Sequence, residues 1–71
     1  MNASYASPGM RDRFLGALAA DDRTLSVELA RNLTNCANPL PGMTCEELGL
    51  PTGSTYASAA SRVLSLYTAL P

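Results

Sequence analysis

The chain has 71 residues, 46% of them apolar and 15% charged, and its five arginines against six acidic residues leave a net charge of −1. That length holds one domain with a core of marginal size, and the near-neutral balance removes any general attraction to nucleic acid or to anionic membrane. No run approaches the roughly 18 apolar residues that mark a membrane span.

Residues 1–6 carry no apolar period and are expected to fray. Ser7-Pro8 then reads as a helix start, a capping hydroxyl followed by a proline whose missing N–H costs nothing in the first turn. Met10, Phe14, Leu15 and Leu18 follow at helical spacing, so a first helix is expected over about 8–19. Gly16 would weaken that helix or let a neighbour approach closely.

Asp21-Asp22 breaks the pattern and can cap a second helix, about 22–35, whose stripe is Leu25, Leu29, Ala30 and Leu33. Asn38-Pro-Leu-Pro-Gly42 forces an extended turn. In Met43-Thr44-Cys45-Glu46-Glu47-Leu48, Thr44 and Glu47 match a capping box, and Met43 with Leu48 matches a hydrophobic staple. The third helix is therefore expected at 44–48, closed by Gly49 in a left-handed conformation and stopped by Pro51.

The last helix, 54–70, is the central one. At about 100° per residue, Tyr56, Ala60, Val63, Leu64, Tyr67 and Leu70 share a face, with Ala57, Ala59 and Leu66 at its margins. Its other face carries Thr55, Ser58, Ser61, Arg62, Ser65 and Thr68, and Arg62 is the one charge on the whole helix. The expected fold is all-α: a single domain over 1–71, a small bundle of three to four short helices with a helix-turn-helix-like C-terminal half.

Glu46-Glu47-Leu48-Gly49-Leu50, followed by Ser54-Thr55-Tyr56, resembles the helix-turn-helix DNA-binding family over about twenty-five residues. The resemblance implies that Thr55, Ser58 and Arg62 read a groove. It also implies that Thr44 and the Gly53-Ser54 amides hold phosphates at helix N-termini. The turn from Gly49 to Thr55 is one residue longer than that family uses, and five arginines spread along the chain supply little counterion release. A small face with a single charge suits protein better, so the first expectation is a non-enzymatic regulatory or adaptor protein. It would bind a protein partner or a second copy through Thr55, Ser58, Arg62, Leu66 and Leu70. A helix-turn-helix transcriptional regulator is the alternative. Leu66 and Leu70, with Tyr5 and Val27, could form an exposed apolar patch at the margin.

Chemistry-bearing residues are sparse. With no His or Lys there is no evident general base, and no carboxylate pair marks a cleft, so no enzyme activity and no cofactor are expected. Cys36 and Cys45 bracket the proline-rich turn. They are read as buried thiols, with a disulfide closing that loop as the other reading. A redox switch built on that bridge is the third functional reading. A metal site would need two further ligands, and none is expected. Gly49-Leu-Pro-Thr-Gly53-Ser-Thr outlines a phosphate loop without its lysine and reads as a turn and cap. Exclusive use of arginine and the absence of Ile point to a GC-rich bacterial or phage source. The lack of a signal-peptide pattern makes a cytoplasmic location the default. Asn2-Ala-Ser4 and Asn32-Leu-Thr34 match the glycosylation pattern only by chance on that reading.

Overall fold

The computed structural model describes residues 4–69, and Leu70 lies outside them. Its elements are α1 (Pro8–Ala19), α2 (Arg23–Arg31), α3 (Gly42–Leu48) and α4 (Tyr56–Tyr67), with no β-strand among the described residues. The all-α fold expected from the sequence is the fold observed. Helix α2 packs against both α1 and α4, while α3 rests chiefly on α4 with a smaller contact.

Ser7 caps α1 as its sequence suggests: its Oγ accepts from the Met10 N–H at 3.2 Å, and Pro8 begins the helix. The α1–α2 corner is tight because two end motifs abut. Asp21 takes φ 53°, its N–H reaches Leu18 O at 3.1 Å, and the Asp22 N–H reaches Ala17 O at 2.9 Å. This is a Schellman closure with aspartate where glycine is usual. Asp22 then caps α2, its Oδ1 accepting from Leu25 N–H at 3.1 Å.

Helix α2 stops at Arg31 rather than near Asn35. The cause is Asn32, whose Nδ2 takes the Glu28 carbonyl at 3.1 Å while its own N–H falls back to Leu29 O. The side chain thus occupies the acceptor a continuing helix would need. Helix α3 starts earlier than expected, at Gly42. Pro41 lacks a donor but not an acceptor, and its carbonyl receives the Cys45 N–H at 3.0 Å. That places Thr44 inside the helix, so the capping box with Glu47 does not form and α3 has no side-chain cap. The Met43 staple fails for the same reason, and Met43 is 75% exposed.

Gly49 closes α3 at φ 70°, with its N–H on Glu46 O and the Leu50 N–H on Cys45 O, a second Schellman motif and the one the sequence announces. The chain then turns through Pro51–Ser54, with Gly53 at φ 92° and the Ser54 N–H on Pro51 O. A type II turn requires a positive φ at that third position. Because Ser54 is spent on the turn, Thr55 caps α4, and the helix begins at Tyr56 rather than 54. It ends at Tyr67, where the Thr68 hydroxyl bonds back to the Leu64 carbonyl.

The core consists of Phe14 and Ala17 from α1, Leu29 and Ala30 from α2, Tyr56, Ala59, Ala60 and Val63 from α4, and Leu33, Cys36, Leu40 and Cys45 beyond them. Phe14 and Tyr56 meet at 6.2 Å between ring centroids with planes tilted by 55°, an arrangement aromatic quadrupoles favour. Met10, Leu15, Leu18, Leu25, Leu48 and Leu50 are only partly buried at the margin. Gly16 serves no close approach: a Cβ there would meet nothing within 4 Å.

Candidate functional site

The outer face of α4 is built by what its inner face must do. With Tyr56, Ala59, Ala60 and Val63 buried, a 3.6-residue period turns Ser58, Ser61, Arg62 and Ser65 to solvent. Together with Ala57, Thr34 from the loop after α2 and Leu50 from the turn after α3, they line an open groove of about 430 Å³. The groove is walled by small hydroxyl and methyl groups, so a partner's backbone could come close. Arg62 brings the one formal charge. Its Nη1 would lie 3.7 Å from a Cβ placed on Gly49, so the guanidinium stands beside the C-terminal end of α3, where peptide dipoles favour a cation.

The five residues singled out from the sequence divide in the structure. Ser58 and Arg62 lie together in the groove. Thr55 is not among the residues lining the groove, although its Oγ1 lies 3.5 Å from Ser58 Oγ. Its Oγ1 accepts from the Ser58 N–H at 3.3 Å, so the side chain is committed to capping. Leu66 is 55% exposed at the edge of the helix, and Leu70 lies outside the described residues. Of the margin residues, Tyr5 is exposed, whereas Val27 is half-buried in a second groove, of about 280 Å³, shared with Arg23, Thr24, Tyr67 and Thr68. There the Arg23 guanidinium sits 5.0 Å from the Tyr67 ring centroid, a cation–π contact that spacing alone does not reveal.

The α4 N-terminus is occupied by the chain itself. Asn38 O accepts from Tyr56 N–H at 3.1 Å, Cys36 O from Ala57 N–H at 2.9 Å, and Ser54 N–H is used within its turn. These first-turn donors are therefore not available to an anion. Sequence reasoning missed this because the acceptors come from a loop some twenty residues earlier. The one visible signal was the pair of prolines around Leu40, which holds that loop extended.

Cys36 and Cys45 are free thiols and both buried. Cys36 Sγ donates to Asn38 Oδ1 at 3.2 Å, and Cys45 Sγ points to Leu40 O at 3.8 Å. Burial raises the pKa of Tyr56, with the nearby Arg11 opposing and Asp12 and Cys36 adding to the shift. Among the described residues no three His, Cys, Asp or Glu side chains gather as a metal-ligand group, and no helix is long and apolar enough to cross a membrane. Comparison with protein-family models, curated proteins and solved structures finds no match to this chain.

Proposed function

We propose that the chain is a small non-enzymatic regulatory or adaptor protein that works by binding another protein, or a second copy of itself, through the outer face of α4. The observation that carries this reading is the groove lined by Ala57, Ser58, Ser61, Arg62 and Ser65, a small-residue surface with one charge and an exposed Leu66 nearby. Such a surface lets a partner helix or strand approach closely at little desolvation cost. The test is affinity capture from the source organism together with light-scattering mass of the pure protein, for wild type and for Ser61→Trp and Arg62→Glu. Both substitutions change exposed side chains and leave the core intact. The reading expects them to lose a partner or a dimer that wild type retains. A monomer that captures the same set with or without them would sink it.

The helix-turn-helix reading keeps one favourable observation, the left-handed Gly49 turn that delivers a capped α4. The internal capping of α4 by Asn38 and Cys36 weighs against phosphate contact there. Fluorescence anisotropy with duplex DNA at low salt separates the two: DNA reading requires binding that Arg62→Ala weakens.

A further inference from the structure

Residues 4–6 and the start of α4 are fastened to opposite sides of one short loop. On one side, the Ala37 N–H donates to Ser4 O at 2.6 Å and the Ala6 N–H to Asn38 Oδ1 at 3.0 Å. Arg11 of α1 fixes the same strap through Nε to Ala6 O at 3.3 Å. So the described part of the lead-in, expected to fray, is held at three points. On the other side, the loop's Cys36 and Asn38 carbonyls cap the Ala57 and Tyr56 amides, and the Leu40 N–H reaches Ser54 O at 2.8 Å. Asn38 belongs to both sides. Its side chain binds the strap and the Cys36 thiol, and its main chain binds α4.

We propose that residues 4–6 form a latch whose release loosens the first turn of α4, so that the state of the N-terminal segment is transmitted through Asn38 to the α4 surface. The physical reason is shared restraint. Residues 36–38 carry no regular secondary structure. Cys36 is anchored in the core and by its N–H to Leu33 O, so at Ala37 and Asn38 the strap and α4 supply the remaining restraint. A loop freed on one side must order itself on the other at greater entropic cost. Any partner that competes for the Ala37 N–H or draws the N-terminal segment away would act through this route. The inference goes beyond the binding reading and stands whether or not the α4 groove is a binding face.

Amide hydrogen exchange of the full chain by NMR tests it, using Asn38→Ala, with Asn38→Asp as the variant that keeps an oxygen acceptor. Alanine deletes the acceptor that the Ala6 amide shares with the Cys36 thiol but leaves the two main-chain caps of α4 chemically intact. Arg11→Met, which touches the strap and not the loop, separates the strap's share from the thiol's. For alanine the expected result is exchange at Tyr56 and Ala57 faster by about tenfold, together with Ala6, while Leu29 and Ala30 in α2 change less. Aspartate should restore most of the protection. If Ala6 loses protection while Tyr56 and Ala57 keep theirs, the latch is refuted. An equal rise at Leu29 and Ala30 also refutes it, because global stability alone would then have changed. Should Asn38→Ala not fold, Arg11→Met loosens the strap from the α1 side without touching the loop. The same ordering of amides is then expected with a smaller change, and its absence overturns the proposal.

Discussion

The Ser26 hydroxyl is fully buried in α2 and finds no hydrogen-bond partner among the described residues. A buried donor without an acceptor costs on the order of 1–3 kcal/mol, and alanine keeps the Cβ while removing the group. Ser26→Ala should therefore raise stability by about 1 kcal/mol, read as a higher urea midpoint at unchanged slope. A lower midpoint would mean that the hydroxyl is satisfied in solution. Gly16 offers a gain of a different kind. It lies inside α1 with open space where a Cβ would go, so Gly16→Ala should add about 0.5–1 kcal/mol by restricting the unfolded chain. Tyr56 gives the pH dependence. Its pKa is raised on folding, so above the unfolded value of 10.0 the unfolded state loses its proton first and gains relative to the native state. The contribution is fully present below pH 10 and declines as pH rises from there towards the folded pKa. Urea midpoints measured from pH 8 to 11 should fall less steeply for Tyr56→Phe than for wild type.

At the level of elements, the two Schellman closures form a natural experiment, since both need a left-handed residue and only one has glycine. Asp21→Gly at the end of α1 should stabilise by up to about 1 kcal/mol, because the ion pair it gives up with Arg23 is 3.6 Å long and solvent-exposed. Gly49→Ala at the end of α3 should cost about 1 kcal/mol for the opposite reason. Equal and opposite shifts in thermal midpoint would confirm that conformation, not contact, governs both corners. The same elements mark how far the sequence could be read. Periodicity located the helices and part of their buried stripes: Phe14, Leu29, Tyr56, Ala60 and Val63 are in the core, as is Leu33 just past α2, whereas Met10, Leu15, Leu18, Leu25, Leu64 and Tyr67 are only partly buried. Local signals also found Ser7, Asp22 and Gly49 as helix ends. What periodicity could not carry was competition between equally good local motifs. Thr44 had valid capping chemistry and Ser54 opened the expected last helix, but Pro41 O and the Pro51–Ser54 turn claimed those positions first. In the candidate site, Ser58 and Arg62 were legible from their spacing. Thr34 and Leu50 were not, because they reach the groove from loops whose course depends on long-range hydrogen bonds.

For the molecule as a whole, charge is a minor actor. Among the described residues the one ion pair is Arg23–Asp21, with both side chains more than two-thirds exposed, so stability rests on apolar burial and on satisfied helix ends. Exposed pairs of this kind contribute little and are screened within about 10 Å at ordinary salt. The melting temperature should therefore move by no more than about 2 °C between roughly 50 and 500 mM NaCl. Binding through the α4 face should behave alike, because Arg62 is the only formal charge in that groove among the described residues. Phosphate contacts respond differently: each one neutralised on duplex DNA adds close to −0.9 to the slope of log affinity against log salt. A partner titrated across that range should give a slope shallower than about −1. A steeper slope would require arginines from other helices to enter the interface, and would turn the reading from a protein seated over serines towards a polyanion gripped by the surface at large.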